Sequence, residues 1–278
     1  ILRDALPFEQ EDLRDLQHRL EATSDDLRAK RWSALSRSIS KTQGLLSTRQ
    51  SSILASMPAS ATTTAEGLLE AVGEGITAMQ AEVDAQNKAQ FIQVRRETLA
   101  RIGDLEALVT EASIPPIPSE FDALPRLNGR ATVTISTTQG ELTAVVDGYN
   151  APLTAGSFID LSLKGFYDGL PFIRAEDFYI LHAGDPEGPH IGYIDRSTNQ
   201  QRRVPLEIRV PDEDDTLYNQ TFEDVGLFQA TPVLPFATLG TLGWAHSDQD
   251  PGDGSSQFFM SLYEAELTPA GLNLVDGR

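Results

Sequence analysis

Arg174, in the run Phe172-Ile173-Arg174, and the ring pair of Gly254-Ser255-Ser256-Gln257-Phe258-Phe259-Met260 are the residues of this chain best suited to chemistry. A guanidinium stays charged at any physiological pH and presents a rigid fork of donors. It therefore favours a group whose lone pair localises during a reaction. Successive strand residues face opposite sides, so a paired Phe258-Phe259 puts one ring in a core and the other on an open face. A ring on that face excludes water and seats an apolar substrate group. Between the two segments lies His182, whose imidazole can donate or accept a hydrogen bond. Each residue alone has a plainer reading: a strand arginine is commonly a surface charge, and a phenylalanine is commonly core.

Other chemistries find less support. The chain has no cysteine, which removes disulfides, thiolate catalysis and cysteine-bound zinc. His182, His190 and His246 lie on segments without metal-ligand spacing, so no metal is expected. No Gly-x-Ser-x-Gly turn and no glycine-rich loop ending in Gly-Lys-Ser/Thr occurs. The acidic run Asp212-Glu213-Asp214-Asp215 lacks further oxygens at calcium-loop spacing and reads as a solvated loop.

The elements that must position these residues change character along the chain. Leu13, Leu16, Leu20 and Leu27 step along one helical face, as do Trp32, Leu35, Ile39 and Leu46. Thr63-x-x-Glu66 has the form of a capping box, and behind it Leu69, Val72, Ile76, Met79 and Val83 repeat, continuing through Phe91, Ile102, Leu105 and Val109. At least three helices are expected over residues 1–112, the last one long. Their heptads fit either a partner helix or an internal bundle, and the short Ser/Thr-rich turns favour the bundle. Pro115, Pro116, Pro118 and Pro125 make residues 113–128 a stiff linker. Beyond it the period falls to two: Thr132 to Ser136 alternates, Gln139-Gly140 turns, and Leu142 to Val146 alternates again. Thr154 is placed to cap a short helix that Gly165 ends. Short strands rich in glycine and proline fill the rest of residues 129–278, as a small barrel requires.

Composition sets outer limits. The 278 residues carry a net charge of −19, and residues 128–278 hold most of it, with 8 Lys+Arg against 22 Asp+Glu. That sign repels phosphate backbones and anionic lipid, so no nucleic-acid role is expected. No apolar run is long enough to span a bilayer, and the first residues lack the pattern of a signal peptide.

The site segments together resemble the cyclophilins. Phe172-Ile173-Arg174, His182-Ala183-Gly184-Asp185-Pro186, Gly240-Thr241-Leu242-Gly243-Trp244-Ala245 and Ser256-Gln257-Phe258-Phe259 occur in that family's order. The resemblance implies an α+β chain: an N-terminal helical bundle followed by a cyclophilin-like antiparallel β-barrel, whose last strand and helix would lie beyond Arg278. It also implies peptidyl-prolyl cis-trans isomerisation without a cofactor. That reaction crosses a barrier of about 18–20 kcal/mol set by amide resonance, although the isomers differ by only about 0.5–1 kcal/mol. The enzyme therefore weakens a resonance and breaks no bond. On the family pattern Arg174, Phe259 and His182 are the catalytic set, and Tyr179, Ile180, Ala245, Gln257 and Leu274 line the substrate groove. His182 stands where the family has glutamine and Leu274 near its tryptophan, so the activity is expected to be weak or regulated.

Longer phrases, such as Val146-Asp147-Gly148-Tyr149-Asn150-Ala151-Pro152 and Gly184-Asp185-Pro186-Glu187-Gly188-Pro189, resemble the multidomain thylakoid-lumen cyclophilins of plants and cyanobacteria. That likeness implies a lumenal or periplasmic location and Xaa-Pro clients that include a photosystem II subunit loop. It also implies a helical domain that modulates access to the cyclophilin domain. A scaffold or chaperone using the same groove, or the bundle, is the alternative.

Overall fold

The computed structural model describes residues 2, 4–7, 10–110, 116–196, 198–211, 213, 215–228 and 230–263. The chain folds as two units, Leu6–Glu111 and, separately, Ile1–Ala5 with Ala112–Arg278.

The first unit contains α1 (Glu11–Arg28), α2 (Trp32–Ala55), α3 (Thr62–Asp84) and α4 (Lys88–Val109). Their apolar stripes meet in one core that includes Leu16, Leu35, Ile39, Ile76, Met79, Phe91 and Ile102. The heptads therefore pack within the chain. The long last helix expected from the sequence is two helices. Gln86 takes a left-handed φ of 53° and the Asn87 side chain accepts from the Gln90 N–H, so a new helix starts without a glycine or proline to announce it. The capping box at Thr63 does not form: α3 begins at Thr62 with no side-chain cap. Where α3 and α4 cross, Gly75 lets them approach, since a Cβ there would lie 2.2 Å from Thr98 Oγ1.

The second unit opens with the hairpin β1 (Arg130–Thr137) and β2 (Gly140–Asp147), followed by α5 (Pro152–Leu163). Next come β3 (Phe172–Glu176), β4 (Ile180–Ala183), β5 (Ile194–Asp195), β6 (Gln200–Gln201), β7 (Glu207–Ile208) and β8 (Leu217–Tyr218). A short α6 (Phe222–Val225), β9 (Leu242–Trp244) and β10 (Phe258–Ser261) complete it. The strands form a four-stranded antiparallel sheet in the order β3-β4-β10-β9 and three two-stranded sheets, β1-β2, β5-β6 and β7-β8. The expected helical region and antiparallel sheets are present, and among the described residues the sheets do not close into a barrel.

Two local expectations also change. Thr154 does not cap α5; the Glu207 carboxylate, from a distant strand, accepts from the Leu153 and Thr154 N–H groups at 3.1 and 3.0 Å. The N-terminal segment, read from sequence with the helices, supplies acceptors to this unit instead. Asn150 Nδ2 donates to the Ala5 carbonyl at 2.7 Å, and the Arg130 guanidinium bonds both the Leu2 carbonyl and Asp147.

Candidate functional site

The four-stranded sheet sorts its residues by parity. On one face Leu181, Ala183, Leu242, Trp244, Phe258 and Met260 join a core with Val146, Ala155 and Phe158. Phe258 is locked there edge-on to Phe158 and Tyr167, with ring centroids 5.3 and 5.4 Å away. The register pairs Arg174 with His182, His182 with Phe259, and Phe259 with Gly243. Directly opposed residues share a face, so these four form one row across the sheet on the side away from the core. One step along, Ala245 N–H donates to the Gln257 carbonyl at 3.0 Å and continues the pairing, bringing Ala245 and Gln257 to the same face.

Arg174 is exposed, and its Nε donates to Glu176 Oε1 at 2.6 Å. Its guanidinium carbon lies 5.7 Å from the Tyr179 ring centroid. The hydrogen bond to Glu176, two residues along the same strand face, raises the guanidinium's already high pKa. Exposed pairs of this kind hold little energy, so the cation can turn to another acceptor at small cost.

Phe259 is half-buried against Phe236, with centroids 5.3 Å apart. Gly243 makes room for both rings: a Cβ there would come within 2.5 Å of Phe259 and 2.7 Å of Phe236. Neither Phe236 nor the requirement for glycine at 243 is evident from motif matching, because both follow from ring placement.

His182 Nε2 is buried and has no hydrogen-bond partner among the described residues. Burial first, and then the neighbouring Arg174 charge, push its pKa below the ordinary value, while Asp185 and a Gln257 hydrogen bond oppose them. The ring is therefore neutral at pH 7 and offers one acceptor and one donor. Tyr179 is exposed and stacks on Tyr263 at 6.4 Å, and Ile180 is buried. Leu274 lies outside the described residues.

The segment leading into β10 is pinned from several directions. Ser256 Oγ donates to the Gly184 carbonyl at 2.7 Å, Tyr167 Oη donates to the Ser256 carbonyl at 2.9 Å, and Ser255 Oγ accepts from the Tyr193 N–H at 3.0 Å. Asp185 Oδ1 accepts from the Gly192 N–H at 2.7 Å. Gly184, with φ of 97°, lies so close that a Cβ would sit 2.4 Å from the Ser256 carbonyl oxygen. These contacts fix where Gln257 and Phe259 emerge.

A cavity of about 450 Å³ in the second unit is lined by Val146, Phe158, Leu206, Trp244, Phe258 and Glu207, among others. Arg174 and His182 do not line it, so it is separate from the row's charged end. His182, His190 and His246 belong to no group of three potential metal ligands among the described residues.

Comparison with known proteins supplies the family. Residues 1–110 match the PsbQ-like domain of the CYP38-like peptidyl-prolyl cis-trans isomerases, and residues 132–273 match the cyclophilin-type peptidyl-prolyl cis-trans isomerase family. A Synechocystis protein named as a thylakoid lumen peptidyl-prolyl cis-trans isomerase is 46% identical over 278 residues, covering 100% of this chain and 73% of its own length. The chloroplastic isomerase CYP38 of Arabidopsis thaliana is 34% identical, covering 100% of this chain and 66% of its own. A Cryptosporidium parvum cyclophilin crystallised with the dipeptide Ala-Pro covers 48% of this chain and 69% of its own, at 21% identity and a TM-score of 0.33. That structural likeness is too slight to argue from. The two family matches and the relatives that match along the whole of this chain place it in the cyclophilin-type peptidyl-prolyl cis-trans isomerase family, with a PsbQ-like domain ahead of the cyclophilin domain.

Proposed function

We propose that the row Arg174-His182-Phe259 is the substrate groove, with the prolyl ring of an Xaa-Pro segment against Phe259 and the Arg174 guanidinium directed at the prolyl nitrogen. The observation that carries this reading is the shared sheet face, which sets a permanent cation and a half-buried ring on either side of a neutral imidazole. Twisting the amide localises the nitrogen lone pair, and a guanidinium that donates to it stabilises the twisted state more than either planar isomer. His182 and Gln257 hold the peptide backbone, and Tyr179, Ile180 and Ala245 line the groove. Leu274 completes the wall on family resemblance alone. Histidine in the backbone-anchoring position changes both reach and donor count, so turnover slower than that of a simple cyclophilin is expected.

The thylakoid lumen named for one relative supports a lumenal or equivalent periplasmic setting, and on family resemblance alone the clients proposed are loops of photosynthetic membrane complexes. No described helix is long and apolar enough to cross a membrane. The competing reading is a holder of client loops that binds through the same face without catalysis. An isomerisation assay on the full chain separates them. Arg174→Ala should lower kcat/KM about 100-fold, the loss typical of a deleted transition-state donor, and leave peptide affinity within severalfold. Activity unaffected by the change would sink the catalytic assignment, and peptide binding without any isomerisation would support the holder.

A further inference from the structure

Phe236 reaches the end of the row from a loop ahead of β9. Its ring centroid lies 5.3 Å from that of Phe259 at an interplanar angle of 50°, and both rings are half-buried. They converge over Gly243, the last member of the row, where a Cβ would come within 2.5 Å of Phe259 and 2.7 Å of Phe236. The loop that carries Phe236 is tied down on either side of it: the Val233 N–H donates to the Arg209 carbonyl and the Gly240 N–H to the Ser261 carbonyl of β10, each at 2.8 Å. Pro235 fixes its own φ between these ties. Phe236 also lines the cavity of about 450 Å³, and Phe259 does not. Truncating the Phe236 side chain would extend that space to Phe259.

We infer that Phe236 is a positioning residue: it fixes the orientation of the Phe259 ring and so prepares the seat of the prolyl ring. An aromatic ring on a strand surface with open space beside it samples several rotamers, and a client must then select one of them, which lowers the apparent affinity by the fraction of competent chains. The tilted contact with Phe236, together with the missing side chain at Gly243, holds one rotamer before the client arrives. Nothing in this role requires Phe236 to touch the client. Phe259 seats the proline in the planar and the twisted state alike, so loosening that ring weakens both, and the effect falls on KM while kcat is kept. Arg174 acts differently, on the twisted state. The inference rests on the groove assignment above and adds a second ring that steadies the first.

The test is a double-mutant cycle on the full chain, read as kcat and KM for a tetrapeptide with one Ala-Pro. Phe236→Ala should raise KM about fivefold with kcat within about twofold, the scale of one lost aromatic pair. In a Phe259→Ala background the same change should raise KM less than about 1.5-fold, because the ring it orients is gone. Gly243→Ala pushes a methyl into both rings and should raise KM as well. Adding Phe236→Ala to it should bring KM back down, since Phe259 then has room to move aside. Phe236→Leu, which keeps apolar bulk in the loop, carries the same cycle with a loss of about threefold where Phe236→Ala does not fold.

An equal rise in KM from Phe236→Ala with and without the Phe259 ring overturns the inference, because a residue that only supports the fold acts the same in both backgrounds. So does an effect carried by kcat with KM unchanged. A chain with both Gly243→Ala and Phe236→Ala that binds more weakly than either single variant overturns it too. Phe259→Ala tells the two readings apart: a KM equal to that of wild type discards the groove itself, whereas a raised KM with an additive cycle discards only the role of Phe236.

Discussion

Replacing Glu207 by glutamine should change how the second unit responds to pH. The carboxyl is enclosed beside the cavity wall, and burial raises its pKa most strongly, against the opposing hydrogen bonds from Thr154 and Leu153, to about 7 from an ordinary 4.5. The folded chain therefore holds a proton between pH 4.5 and 7 that the unfolded chain releases. Stability from this group is present at the acid end of that window and is lost as pH rises through it. At about 1.4 kcal/mol per unit the full shift caps the loss at about 3 kcal/mol, and water reaching the cavity reduces it to about half. Glutamine cannot ionise, and its carbonyl still accepts from the first turn of α5. Glu207→Gln should thus match wild type near pH 5 and exceed it by about 1.5 kcal/mol at pH 8. Glu207→Ala strands the Leu153 and Thr154 N–H groups and should cost about 1–2 kcal/mol at pH 5. The chain has two tryptophans, Trp32 and Trp244, one in each unit. Urea titrations followed by fluorescence in a Trp32→Phe background therefore report the unit that holds Glu207. A stability difference between Glu207→Gln and its parent that does not grow from pH 5 to 8 would refute the reasoning.

Three further perturbations probe the sheet. His182 works with the opposite sign to Glu207: its depressed pKa means the unfolded chain takes up a proton near pH 6.5 that the folded chain resists, so stability falls below that pH. His182→Gln should remove this acid-side loss in the same urea assay, and an unchanged slope between pH 6.5 and 5 would count against it. Gly184→Ala forces a methyl onto the Ser256 carbonyl at a positive φ, and should destabilise the second unit by about 3 kcal/mol or more and lower peptide affinity with it. A variant as stable as wild type would show that the β4–β10 contact is looser than the geometry says. Removing the first five residues deprives buried Asn150 of the Ala5 carbonyl, and should cost the second unit about 1–3 kcal/mol without shifting the Trp32 signal of the first. Equal midpoints for the Trp244 signal would mean that solvent or another acceptor replaces it.

The sheet row proposed as the groove is legible in the residues because its parts are local strings. Phe172-Ile173-Arg174 and Gln257-Phe258-Phe259 each carry their strand period with them, and the alternation of Phe258 and Phe259 follows from strand geometry alone. What escaped the sequence depends on distant neighbours or on backbone choices without a customary residue. The Glu207 cap on α5 joins positions more than fifty residues apart, and Thr154 offers a competing local signal. The break between α3 and α4 uses Gln86 in a left-handed turn, a site where propensity points to glycine. Gly243 looks like an ordinary strand glycine until the rings of Phe236 and Phe259 are placed over it.

The parity of the central sheet has a consequence for how this protein can vary. A slip of one residue along β10 would exchange the environments of Phe258 and Phe259, drawing the groove ring inward and expelling the core ring. A chain that misaligns this strand thus loses its cohesion and the proposed peptide surface together. Substitutions at alternate positions face the reverse situation. They can alter the outer face while the opposite side of the same strands keeps its packing, which leaves room for departures such as His182 on an otherwise preserved frame.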